Sequence, residues 1–262
     1  MSSDRDRDRD GDVVRFDEVT STQDVARDLV AAGRGKHGTC VVARVQTAGR
    51  GRRGRAWLSA DGALAVSLIV EPACALVDAP KLTLAAGAGL LRACDAVGVD
   101  AFVKWPNDVV IGGAPATGKL GPFRKVAGVI VEVAETRGDR LTRCILGAGV
   151  NVRAPAGGWP DDIADTAGAL ADAGFTGDAD DVLQAFRVHV PRALDDALAD
   201  FDATLAALAR RSATLGRRVE VDGVTGVARG FAADGALLVV DDGGVEHVVR
   251  AGDVWFATEH LA

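Results

Sequence analysis

Thr39-Cys40-Val41-Val42-Ala43-Arg44-Val45, then Gln46-Thr47-Ala48-Gly49-Arg50-Gly51-Arg52-Arg53-Gly54-Arg55-Ala56-Trp57, then the apolar run from Ala63 to Val70, form the stretch on which the fold turns. The first and last runs are short, rich in β-branched residues and bounded by glycines, a pattern of strands. The connector holds four arginines and three glycines in twelve residues. Long irregular connectors inside a compact domain are commonly binding loops, glycine lets backbone approach a ligand, and guanidinium forks grip phosphate or carboxylate. A solvated hairpin end or a weak nucleic-acid patch would have the same composition, and the loop alone does not separate these readings.

Upstream, residues 13–19 read as a first strand. Ser21-Thr22-Gln23-Asp24 opens an amphipathic helix to about Ala32, with Ser21 or Thr22 as N-cap and Gly33 and Gly35 at its end. Downstream, residues 80–97 carry apolar residues at helical spacing, with Leu82, Leu84, Leu90 and Leu91 as core candidates. A short strand at 101–103 then runs into Lys104-Trp105-Pro106-Asn107-Asp108. Proline restricts its own φ and the residue before it, so Lys104 and Asn107 flank a stiff turn. Residues 109–111 are again apolar, and 112–124 read as a loop.

Two further strands, 126–133 and 141–146, join around Arg137-Gly138-Asp139, with Lys125 at the start of the first. Gly147-Ala148-Gly149-Val150-Asn151-Val152 brings small residues to the end of the second. Close packing accounts for the glycines but not for Asn151. Residues 161–173 and 180–211 read as helices, the latter kinked or divided at Pro191. From Thr214 the pattern becomes short strands with glycine turns, which suggests a small appended barrel.

The 262 residues are 48% hydrophobic and carry a net charge of −7. Residues 1–12 are charged and should be disordered, because they bury too little apolar surface to offset ordering entropy. They contain no signal-peptide core, and no segment is long and apolar enough to span a bilayer, so a cytoplasmic protein is expected. Cys40, Cys74, Cys94 and Cys144 are scattered, as are His37, His189, His247 and His260. Neither a zinc site, nor a disulfide framework, nor a histidine-based triad is suggested. The acidic balance argues against general nucleic-acid binding. With 25 arginines and only 5 lysines, each lysine stands out. Lys104 and Lys125 fall in two of the unusual segments, where a compact ammonium does what arginine cannot imitate.

QTAGRGRRGRAW at 46–57, KWPND at 104–108, KVAGVIVE at 125–132 and GAGVNV at 147–152, with STQD at 21–24, together resemble the biotin protein ligases over nearly the whole chain from Val13. The resemblance implies an α+β fold: a mixed sheet with helices like that of class II aminoacyl-tRNA synthetases, followed by an SH3-like barrel. The division would be a tail at 1–12, a catalytic domain at 13–212 and the barrel at 213–262. It further implies two steps, in which biotin and ATP with Mg2+ give biotinyl-5′-AMP and a lysine of a biotin carboxyl carrier protein then takes the biotinyl group. No protein nucleophile is needed, in keeping with the missing triad.

Carried onto this sequence, the resemblance assigns Ser21, Thr22, Gln23 and Gln46 to the ureido end of biotin, and Arg50, Gly51 and Arg52 to a loop closing over biotin and adenylate. Trp57, Lys104, Asn107 and Asn151 fall to the nucleotide, and Lys125 to the biotin carboxyl and reacting phosphate. Lys125, Arg52 and Lys104 are thus the catalytic candidates. Asp108 is an indirect magnesium partner at most, and Arg53 and Arg55 serve loop charge. Gln23 stands where the family often has asparagine, one methylene shorter with the same donors and acceptor. Lys119 in the 112–124 loop rivals Lys125, which is preferred because it directly precedes the apolar strand. A homodimer is an expectation from the resemblance, and binding to a specific DNA sequence is not, since only about a dozen residues precede the first strand. Alternatives are a ligase for lipoate or another short acyl acid, and an RNA-binding module using the arginine loop, for which aromatic residues are scarce.

Overall fold

The computed structural model describes residues 9–10, 13–59, 61–113 and 120–256. The first sheet collects β1 (Arg9–Asp10), β2 (Val13–Val19), β3 (Cys40–Gln46), β4 (Ala63–Val70), β5 (Cys74–Ala75), β6 (Phe102–Lys104), β7 (Asp108–Gly112), β8 (Phe123–Arg137) and β9 (Arg140–Asn151). Its order is β1-β2-β3-β4-β9-β8-β7-β6, with β5 pairing against β9. Strands β2 and β3 are parallel, joined through helix α1 (Thr22–Ala31), and the other pairings are antiparallel. Arg9 and Asp10 pair with Val14 and Val13, so this end of the tail joins the sheet where disorder was expected. Residues 1–8 and 11–12 lie outside the described residues.

Helices α2 (Ala79–Ala96) and α3 (Ala179–Ala199) cover one face of the sheet, and α1 covers part of the other. Strand β4 is buried on both faces, which explains its nearly continuous apolar run. Gly89 lets α2 approach α3 closely, since a Cβ there would sit 2.7 Å from the Val190 Cα. Among the described residues, no helix is long and apolar enough to cross a membrane.

Three expectations are corrected. Pro191 lies inside an unbroken α3, and the division falls at Asp200, whose carboxylate caps α4 (Phe201–Arg210) by accepting from the Ala203 N–H. Residues 161–173 form turns and one 3-10 segment at Leu170–Ala173 instead of a helix. This stretch spends its backbone groups on β8, through Lys125 N to Thr166 O and Gly168 N to Lys125 O. Finally, Gly147 and Gly149 lie within β9, not beyond its end, and Lys125 is inside β8 at a register shift opposite Val109 and Val110.

The C-terminal strands β10 (Arg218–Val221), β11 (Val224–Phe231), β12 (Leu237–Val240), β13 (Glu246–Val249) and β14 (Trp255–Phe256) form a second antiparallel sheet, ordered β13-β12-β11-β10-β14. Strand β14 brings it against the first sheet, where Phe256 packs 6.1 Å from Phe123.

Candidate functional site

Side-chain size along one face of the first sheet makes room for a ligand. Under α1, Ile69 and Ile145 are cross-strand partners in a small core with Ala26, Val30 and Val41. Two residues along, on the same face, the pair is Ser67 and Gly147, and two further it is Ala65 and Gly149. Gly128 of β8 lies opposite Gly149. Isoleucine thus gives way to serine, alanine and glycine, and a cavity of about 340 Å³ opens beside α1, roofed by the arginine-glycine loop. Its floor is closely fitted. A Cβ on Gly147 would meet the Gln23 Cδ at 2.7 Å, and one on Gly149 would meet the Trp57 indole at 2.3 Å.

One end is neutral and polar. Thr22 and Gln23 are buried at the start of α1. The Gln46 Oε1 accepts from the Thr22 backbone N–H at 2.8 Å and from its hydroxyl at 3.1 Å, and the Gln46 Nε2 donates to Ser59 Oγ at 2.8 Å. Buried Ser67 donates to the Thr22 Oγ1 at 2.8 Å. Gln46 is therefore engaged in fixing the helix start. The Gln23 Nε2, only 4% of whose residue is exposed, has no hydrogen-bond partner among the described residues. A buried amide donor left unpaired is costly unless a ligand accepts from it.

The middle is charged. Lys125 Nζ lies 2.7 Å from Asp108 Oδ1 and 5.1 Å from the Trp57 ring. Burial alone would push the Asp108 carboxyl up, but Lys125 and Lys104 beside it hold it below the usual carboxylate range. Lys104 is also buried, and desolvation lowers its ammonium despite the pull of Asp108. Arg52 donates to Asn107 Oδ1 at 2.8 Å, while Asn107 Nδ2 donates to the Val129 carbonyl, tying the turn to β8. Desolvation likewise lowers Arg52. Two lysines and one arginine thus stand around Asp108, and Asp253 also acts on Lys104 and Arg52, so three cations face two carboxylates.

The four loop arginines are sorted by their partners. Arg50 pairs with Asp24 at 2.7 Å and reaches Glu132 at 3.4 Å. Arg55 pairs with Asp253 at 2.6 Å, and Arg53 stands near Asp222 and Asp253 at 3.9 and 4.0 Å. Arg52 alone of the four turns to a neutral side chain.

Thr22, Gln23, Gln46, Arg50, Gly51, Arg52, Trp57, Lys104, Asn107, Asp108, Lys125 and Asn151 all line this one cavity. Ser21 does not. It occupies the backbone N-cap position of α1 without a side-chain cap bond, buried behind the lining residues. Asn151 points its amide away from a free role, donating to the Gly168 carbonyl at 2.9 Å. Lys119 lies outside the described residues. Sequence reasoning missed Trp159, Ile163, Thr166, Asp253 and Trp255, which also line the cavity. Trp159, beside a proline in a glycine-rich stretch, carried a usable signal; Asp253 and Trp255 carried none.

A family model described as the biotin/lipoate A/B protein ligase family matches residues 15–151. The chain belongs to that family. It is 31% identical to the biotin--[acetyl-CoA-carboxylase] ligase of Mycobacterium tuberculosis, covering 92% of this chain and 88% of the relative. It is 36% identical to the bifunctional ligase/repressor BirA of Bacillus subtilis over 62% of this chain and 46% of that relative, so the chain spans under half of that curated protein. The biotin protein ligase from Aquifex aeolicus, solved in complex with biotin and ATP, superposes with a TM-score of 0.77 at 26% identity, covering 94% of this chain and all of the other.

Proposed function

We propose that the chain is an ATP-dependent ligase that converts biotin and ATP to biotinyl-5′-AMP and pyrophosphate, then transfers biotin to a lysine of a carboxyl carrier protein. The observation that carries this reading is one cavity with a buried, unpartnered amide donor, Gln23 Nε2, at its neutral end and Lys125, Lys104 and Arg52 farther along. Biotin has the matching order: a ureido carbonyl to accept from Gln23, an apolar body, and a carboxylate to meet Lys125. The carboxylate oxygen attacks the α-phosphorus, and the bond to the bridging oxygen breaks as pyrophosphate leaves. Lys125 draws carboxylate and phosphate together, and Lys104 and Arg52 compensate charge developing on the phosphate oxygens. In the second step the carrier's neutral ε-amine attacks the acyl carbon, AMP departs with the C–O electron pair, and the amine proton passes to solvent or phosphate.

In this reading Trp57, Asn107 and Asn151 border the nucleotide, and Thr22 with Gln46 shapes the ureido end. Mg2+ would enter on the triphosphate, its charge easing pyrophosphate departure. Asp108 suits at most an indirect role, because it is a single carboxylate held by Lys125, and no cluster of three or more His, Cys, Asp or Glu residues fit for a metal occurs among the described residues. The reading also includes division into a tail, a class II synthetase-like catalytic domain and an SH3-like barrel, a cytoplasmic location, and a homodimer that sedimentation would test.

ATP–pyrophosphate exchange with biotin, with lipoate and with neither acid tests the proposal. Exchange should require biotin; exchange indifferent to biotin would overturn it. Lipoate offers no acceptor to Gln23 and would strand that buried donor. RNA binding by the loop is disfavoured, since Arg50 and Arg55 are paired with carboxylates of the chain itself and Arg53 lies close to two more.

A further inference from the structure

The C-terminal sheet reaches the cavity through two residues. Asp253, just before β14, and Trp255, its first residue, both line the cavity. Val254 between them is fully buried in the core. Trp255 places its ring 5.7 Å from Lys104 Nζ. Asp253 Oδ1 accepts from Arg55 at 2.6 Å, and its other oxygen lies 4.0 Å from Arg53. Arg53 itself has φ 55, in the left-handed region that non-glycine residues rarely adopt, so local preference does not hold the loop in this shape.

Arg52 lies between two attachments. On one side Arg50 is fixed by Asp24 and Glu132. On the other, Arg53 and Arg55 would repel Arg52 if left without counter-charge. Asp253 is the strongest counter-charge acting on Arg52, ahead of Asp108.

We propose that Asp253, carried by the C-terminal sheet, is a positioning residue for the ligase reaction: it anchors Arg55 and Arg53, and so holds the loop over the cavity with Arg52 turned inward. The proposal rests on the ligase reading for its consequence, retention of the adenylate. The anchor itself is a property of the unliganded chain. The second sheet is then required for the loop's geometry without touching the acid being activated.

The test uses the full chain with Asp253→Asn, Arg55→Ala, both together, and Asp242→Asn as a control that removes an equal charge from the Arg218 pair in the same sheet. Two readouts are taken: hydrogen exchange of loop amides 49–57 without ligand, and the lifetime of enzyme-bound biotinyl-adenylate. Asp253→Asn should speed loop exchange and shorten the adenylate lifetime by about two- to fivefold, the range of a partly exposed ion pair. Arg55→Ala should do the same, and the double variant should be no worse than either single. Unchanged loop exchange in Asp253→Asn, additive effects in the double variant, or an equal response in Asp242→Asn would overturn the anchor. If the unaltered chain shows no biotin-dependent exchange, the ligase reading fails, and the hydrogen-exchange arm still decides the anchor.

Discussion

Lys125 and Asp108 face each other at 2.7 Å across neighbouring strands, with the register shift in β8 setting the lysine where it meets both the carboxylate and the cavity. Lys125→Ala should abolish biotin-dependent pyrophosphate exchange, whereas Lys119→Ala should leave it intact. The opposite outcome would make Lys119 the catalytic lysine.

Removing the carboxylate tests the same pair from its other side. Asp108→Asn should leave Lys104 and Lys125 uncompensated and cost about 1–3 kcal/mol in urea denaturation at neutral pH. The acid side has a defined sign. A carboxyl whose pKa falls on folding stabilises the protein above its unfolded value of about 3.9 and loses that contribution as pH drops through the folded value. Asp108→Asn should therefore flatten the stability loss below pH of about 4. An unchanged acid limb would argue against the pairing.

Lys104 titrates in the other direction. Burial lowers its ammonium, so it loses its proton before an ordinary lysine would, and the KM for ATP should climb with pH below the usual lysine range of about 10.4. Stability moves oppositely: keeping Lys104 charged costs the fold at neutral pH, and that cost is relieved between the folded and unfolded values. Lys104→Met should lose exchange activity while matching or exceeding the parent in thermal stability, a split that calorimetry alongside the assay reads.

Two glycines two residues apart should fail differently. Gly147→Ala drives a methyl at Gln23 and should raise the KM for biotin. Gly149→Ala drives one at Trp57, with overpacking of about 1–3 kcal/mol, and should raise the KM for ATP and alter tryptophan fluorescence. Identical effects on both constants would mean that the two ends of the cavity are not distinct.

Arg52, turned to Asn107 instead of a carboxylate, is the loop arginine free to meet an anion. Arg52→Ala should shorten adenylate lifetime by roughly tenfold or more, the scale of a charged hydrogen bond, and increase labelling of unrelated lysines. A lifetime equal to the parent's would remove Arg52 from the site.

The local pattern carried much of the fold. Alternation and β-branching marked β2, β3 and β4, helical spacing marked α1 and α2, and glycine turns marked the second sheet. Residues 161–173 misled because their helical spacing competes with backbone bonding to Lys125, which no local pattern encodes. Pro191 misled because a packed helix face tolerated it, while the chain broke at the capping Asp200. Ser21 was assigned to the site by the resemblance, yet as the extended N-cap residue ahead of α1 it is buried and outside the lining that Thr22 and Gln23 join.

By itself the sequence singled out residues that the fold gathers around one cavity, because scarce lysines, a stiff Trp-Pro turn and an arginine-glycine loop are chemical statements that need no coordinates. Tertiary structure decided how charge is shared among them. Arg50, Arg52, Arg53 and Arg55 are equivalent as letters. They differ because Asp24, Glu132, Asp222 and Asp253 arrive from α1, β8 and the C-terminal sheet to pair with or approach three of them. Electrostatic attraction depends on separation in space, and Asp253 lies 198 residues from Arg55 along the chain but 2.6 Å away in the fold.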